Sequence, residues 1–378
     1  MEKVLSSHVG VKINEWYYHI QRFNVADAEA YKEEIKTALD SMEKNQDLLL
    51  YFSLMEFRHK LMLDYLDPLK DGHERADFKK LTLEIKREQE KLTGLLEYYF
   101  NFFHGMYEFE NYNYLNAITF YKRAEKKLSL VSDDIERAEF NYKMAEIYYH
   151  MKQTHMSMHH IAQAIDCYKE KNNYIVRQIQ CAFVIGLNYI DMGCPEKAMP
   201  HFEESLEKSV DSKTKRLRGS ALYNLGLSHF HSEDLDNAIK YFKESVTSFQ
   251  EQGYEHLNRI LDPLIMLARS YFHSNDTDLG LYALNQGIEL AEKLNDDVML
   301  KVFTFYQALY VKEDYDKVHS DIDYLSKKGS MYAILEELSK DAARKYNSVG
   351  DKDKASNFYE KVLFFQKLIK RSDCLYEI

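Results

Sequence analysis

Residues 186–205 read GLNYIDMGCPEKAMPHFEES, and residues 226–245 read GLSHFHSEDLDNAIKYFKES. Each stretch opens on glycine, places alanine at +12, phenylalanine at +16 and serine at +19. A polar turn separates two apolar stretches of helical period in both. Small residues recur where two helices must cross closely, and the ring fills the gap they leave. Each stretch therefore predicts a pair of packed helices, and the pair is repeated.

The same pattern extends outward. Gly105 is followed by Ala117, Tyr121 and Ala124, and Ala343 by Ala355 and Tyr359, with Val362 departing from the small residue at +19. Weaker units start at Ala145 and Ala268, and a degenerate one near Ala308. Successive units are 35 to 42 residues apart. The pattern resembles the tetratricopeptide repeat, whose period is about 34 residues, so longer helices or loops are expected here. Such units stack into a superhelix whose concave channel is lined by the first helix of each pair.

Upstream, apolar residues recur at three and four in three segments: Ser7 to about Phe23, from Asp27 onward, and Gln46 to about Leu66. Short turns join them, as in an antiparallel bundle. Asp67 to Lys80 (DPLKDGHERADFKK) carries Pro68, Gly72 and dense charge, the composition of a linker. The reading is thus all-α: an N-terminal three-helix bundle (1–66), a linker (67–80) and a tetratricopeptide-repeat superhelix (81–378).

Composition narrows the function. With 50 basic against 61 acidic residues the net charge is −11, which argues against nucleic acid as partner, since phosphate contacts need clustered Lys and Arg. Cys167, Cys181, Cys194 and Cys374 form no CxxC pair, so neither zinc nor a disulfide framework is implied. No apolar run reaches 18 residues and the N-terminus lacks an apolar leader core; a cytoplasmic protein with no membrane partner is expected. His155 and His159 are spaced for one helix face, but no HExxH surrounds them, and no metal site is expected.

Two places remain. The channel positions of the first helices hold Glu139, Glu146, Asp191, Asn224, Asp262 and Glu337, with Lys143, Arg269, Asp341 and Arg344 among them. An amide such as Asn224 both donates to and accepts from a peptide backbone, and carboxylates grip cationic side chains. A solvated helix face is the alternative. The turn before the third helix, Met42-Glu43-Lys44-Asn45-Gln46-Asp47, projects Gln46 from the bundle tip. A neutral amide can orient water for in-line attack on a phosphoryl group. Helix capping by Asn45 or Asp47 is the alternative.

The strings KINEWY (12–17), QDLLLYFSLMEFRH (46–59), KLTGLLEYYFNFF (91–103), GMYEFE (105–110), YHMKQT (149–154) and CLYEI (374–378) resemble the Rap family, from about residue 9 to the end. These are response-regulator aspartate phosphatases of sporulating Gram-positive bacteria, inhibited by secreted Phr pentapeptides. The resemblance implies that Gln46 is the catalytic amide. It places Asn45, Asp47, Leu49, Phe57 and Leu95 on the surface that docks a receiver domain. It implies a short basic Phr-type peptide in the channel, held by Asp191, Asn224 and either Glu336 or Glu337. No cofactor of its own is implied; the receiver would bring Mg²⁺. Some family members instead sequester the DNA-binding domain of a transcriptional regulator, and this remains the alternative function. The family's acidic run before the glutamine is altered here, with Lys44 at its second place and Asn45 at its third.

Overall fold

The computed structural model describes residues 6–42, 45–66, 79–80, 83, 92–210, 214–252, 258–328 and 331–371. The expected linker at 67–80 lies outside the described residues except for Lys79 and Lys80, which are helical. Among the described residues the principal helices are α1 (Ser6–Gln21), α2 (Val25–Ser41), α3 (Gln46–Leu66), α4 (Gly94–Glu110), α5 (Tyr114–Glu125), α6 (Asp134–His150), α7 (Thr154–Tyr168), α8 (Ile175–Asp191) and α9 (Pro195–Lys208). They continue with α10 (Arg218–His231), α11 (Leu235–Gln252), α12 (Leu261–His273), α13 (Thr277–Leu294), α14 (Asp297–Gln307), α15 (Tyr315–Leu325), α16 (Tyr332–Ser348) and α17 (Lys352–Arg371). None of these is long and apolar enough to cross a membrane.

The chain forms two compact units. The first comprises Met1–Asn111, Asn116–Phe140 and Lys171–Tyr174; the second comprises Tyr112–Leu115, Asn141–Glu170 and Ile175–Ile378.

In the first unit α1 packs on α2 and α3, and α3 packs on α4. The apolar stripe of α1 (Val9, Ile13, Trp16, Tyr17, Ile20) is buried, as its spacing requires. The Trp16 indole donates to His59 Nδ1 at 3.3 Å, so its polar edge is satisfied inside the core. The aromatic run of α4 is core as well. Phe102 lies 5.8 Å from Tyr121 and 5.5 Å from Phe140, ring centre to ring centre. A buried polar group sits beside these rings. Glu136 accepts from Tyr17 Oη at 2.6 Å, Gln21 Nε2 at 2.7 Å and Tyr98 Oη at 2.8 Å.

In the second unit consecutive helices from α8 to α17 pack in sequence, as a stack of pairs does. The small residues serve the purpose that their spacing suggests. A Cβ on Gly226 would stand 2.6 Å from the Phe242 ring, closer than real Cβ contacts come, and one on Gly186 would collide with Phe202. Gly105 and Tyr121 make the same clasp in the first unit. The last repeat departs from the expectation. Tyr359, the +16 ring after Ala343, is exposed, while Phe358 is buried and stacks on Tyr346 at 5.6 Å.

Turn geometry repeats too. Tyr112, Lys152, Gly193, Glu233, Asn275 and Gly350 each lie seven residues after the first small residue of a repeat, and all have left-handed φ, from 57° to 83°. A left-handed residue just past a helix satisfies its last carbonyls. Asp276, Asp296 and Asp314 then cap the starts of α13, α14 and α15, accepting from Leu279, Met299 and Lys317 N at 3.0–3.1 Å.

Candidate functional site

The first candidate lies at the start of α3. Asn45 Oδ1 accepts from Leu48 N and its carbonyl from Leu49 N, both at 3.1 Å, so Asn45 is the N-cap. Capping fixes the first turn and presents Gln46 and Asp47, both exposed, at the helix tip. Backbone N–H groups and the positive end of the helix dipole face the same way, which suits a negatively charged group. Leu49, 42% exposed, follows one turn later, and Leu95 is exposed on the first turn of α4. The helices α3 and α4 meet nearby, where the Tyr51 and Tyr99 rings are 5.7 Å apart.

Phe57 does not join this surface. It is 3% exposed and its ring lies 6.1 Å from that of Tyr107, inside the first unit. Eight residues along an α-helix advance about 80° beyond two whole turns. That rotation carries Phe57 from the exposed face of Leu49 into the core.

The second candidate is the channel of the second unit. Asp191 is the last residue of α8, and its Oδ1 lies 2.8 Å from Lys152 Nζ. Asn224, in α10, is 4% exposed, and among the described residues no hydrogen bond reaches its side-chain amide. Neither atom of that amide is among the buried polar atoms left without a partner, so the amide keeps contact with solvent and can trade water for a peptide's backbone groups. Arg269 of α12 pairs with Asp341 of α16 at 2.8 Å, and Tyr306 Oη donates to the same carboxylate oxygen at 2.8 Å. Among the described residues Arg269 Nε and Asp341 Oδ1 are buried with no hydrogen-bond partner.

Electrostatics shows that these groups share one space. Burial lowers the pKa of His231, and Arg269, Glu337, Asp191 and Lys152 all act on it. Burial opposes ionisation of Glu337, but Lys340, Arg269 and Lys152 outweigh it and hold the carboxyl below its ordinary value. Burial raises Tyr149, and Asp191 and Glu337 raise it further. Helices α6, α8, α10, α12 and α16 thus turn charged groups toward a common channel. Of the two adjacent acids, Glu337 feels that channel. Glu336 is buried and accepts from Gln366 of α17 at 2.8 Å. Glu139, expected in the channel, belongs to the first unit, where it is buried and paired with Arg58 at 3.4 Å.

Lys152 is the channel residue that sequence reading missed. Its only local signal is the +7 turn position after Ala145, where a lysine must adopt φ 57°.

This architecture defines a tetratricopeptide-repeat protein with an appended N-terminal helical bundle. Residues 217–293 match the tetratricopeptide repeat family, and residues 3–64 match the family described as response regulator aspartate phosphatase H, N terminal. Over its whole length the chain is 45% identical to response regulator aspartate phosphatase A of Bacillus subtilis (strain 168), covering 99% of that protein. It is 41% identical to response regulator aspartate phosphatase H of the same organism, over 99% of both chains. The crystal structure of a Rap protein complexed with competence and sporulation factor superposes with a TM-score of 0.91 at 38% identity, covering 97% of this chain and 99% of that one. The chain belongs to the Rap family of response regulator aspartate phosphatases.

Proposed function

We propose that this protein hydrolyses the aspartyl phosphate of a response-regulator receiver domain in the sporulation phosphorelay, in the cytoplasm, and that a short basic peptide in the repeat channel inhibits it. The observation that carries the reading is the exposed amide of Gln46 on the capped tip of α3, in a chain of this family. The receiver supplies the acyl phosphate and Mg²⁺. Gln46 accepts a hydrogen from the attacking water and donates toward the phosphoryl oxygens, holding the water in line. The new P–O bond forms opposite the aspartyl oxygen, the acyl–phosphate bond breaks, and the products are aspartate and inorganic phosphate. Asn45 fixes the tip, Asp47 lies on its rim, and Leu49 and Leu95 give apolar contact with the receiver.

In the channel, Asn224 bonds the backbone of an extended peptide. Asp191 and Glu337 meet its cationic groups. The peptide must favour a form that does not bind receiver, so peptide and receiver weaken one another by the same factor.

The test is loss of label from a panel of purified phosphorylated receivers, with and without this protein. Accelerated release from one receiver supports the reading. Unchanged label on every receiver, together with binding to the DNA-binding domain of a regulator, would replace it with sequestration.

A further inference from the structure

The channel acid best placed to hold a ligand's cation is already holding one of the protein's own. Lys152 Nζ lies 2.8 Å from Asp191 Oδ1, and the two side chains are 29% and 16% exposed. The pair spans two repeats, from the α6–α7 turn to the end of α8. Two features show that this place needs a cation. Asp191 is the last residue of α8, where the negative end of the helix dipole disfavours a carboxylate. Glu337 adds negative charge, since Asp191 and Glu337 act together on Tyr149 and His231.

We propose that Lys152 is an internal competitor for Asp191, holding its carboxylate until a ligand's cationic side chain takes its place. This rests on the peptide reading of the channel. An ammonium meets a carboxylate as a point charge, whereas a guanidinium offers two parallel donors. An arginine on the ligand therefore displaces Lys152 on better geometry, and the released ammonium moves toward solvent or Glu337. A neutral residue has nothing with which to displace it. Lys152 thus sets a threshold that only a cationic ligand crosses, and tunes how tightly it is bound.

The test uses five pentapeptide pools, each with arginine fixed at one position, and the best pool resolved to a single peptide. Titration calorimetry then compares that peptide and its arginine→citrulline twin on wild type, Lys152→Gln and Lys152→Arg. Circular dichroism checks that the variants fold. The expected result is roughly three- to tenfold tighter binding of the arginine peptide to Lys152→Gln. Binding to Lys152→Arg should be weaker, and the citrulline twin should bind Lys152→Gln and wild type alike. Equal affinity of the arginine peptide for wild type and Lys152→Gln overturns the proposal. So does weaker binding to Lys152→Gln, which would make Lys152 a ligand contact, or an equal gain by the citrulline twin. If no pool binds wild type or either variant, the peptide reading itself fails and the competitor role with it. That result is distinct from binding that is insensitive to Lys152.

Discussion

The Tyr17 hydroxyl donates to Glu136 Oε2 at 2.6 Å, joining α1 to the first turn of α6 across 119 residues. Tyr98 bonds the other oxygen and Gln21 the same one, so three donors from α1 and α4 converge on a carboxylate that is almost wholly buried. Burial pushes Glu136 up to about 7 even though the hydrogen bonds from Tyr17 and Tyr98 pull it down. The bundle is therefore fixed to its neighbours in the first unit through a group that titrates near neutrality.

This gives a pH dependence with a definite sign. The folded pKa lies above the unfolded one, so the folded state binds the proton more tightly. The stabilisation is complete below about pH 4.5 and is lost as pH rises through about 7. The loss is on the order of 3 kcal/mol. Glu136→Gln should remove that part of the pH dependence. Urea midpoints at pH 5 and pH 8 for both proteins check it; identical pH profiles would contradict the assignment.

Leu49 and Phe57 should separate in mutagenesis. Phe57→Ala leaves a cavity in a packed core and should destabilise by about 3–5 kcal/mol. Leu49→Ala removes an exposed side chain and should leave the melting temperature nearly unchanged while weakening receiver binding. Thermal melts and receiver titrations on both variants make the comparison. An unperturbed Phe57→Ala melt would show that this ring is not core.

The glycine clasps should not tolerate a methyl group. Gly226→Ala places a Cβ against the Phe242 ring and should destabilise by about 1–3 kcal/mol through overpacking. Alanine ordinarily favours a helix over glycine. A rise in stability would mean that the ring moves away freely.

Asn224→Ala should cut peptide affinity by about tenfold without destabilising the fold, because its amide keeps solvent contact and has no hydrogen-bond partner to lose among the described residues. Calorimetry and a melt on the same sample check both halves. A large fall in stability would place Asn224 in the structural framework.

The glycine–ring pairs were legible in the sequence because both partners sit on one hairpin at fixed spacing. The exposed Tyr359 was not, since in the last repeat its neighbour Phe358 takes the buried place that the +16 spacing assigns to Tyr359. The left-handed turns were hidden because Tyr112, Lys152, Glu233 and Asn275 occupy positions that glycine would have announced. The resemblance placed Phe57 beside Leu49, but the 80° offset between them along α3 turns Phe57 into the core. The pairs Lys152–Asp191 and Arg58–Glu139 join residues 39 and 81 apart, and no local periodicity reports such partners.

Single-turnover release of phosphate from a stoichiometric complex with a phosphorylated receiver asks whether Gln46 orients the attacking water. Gln46→Ala should slow release at least about a hundredfold, as losing a group that acts only in the transition state does. Its affinity for the receiver should stay within about threefold of wild type, since one exposed amide adds little to a large interface. A well-folded Gln46→Ala protein that releases phosphate at the wild-type rate would contradict the account.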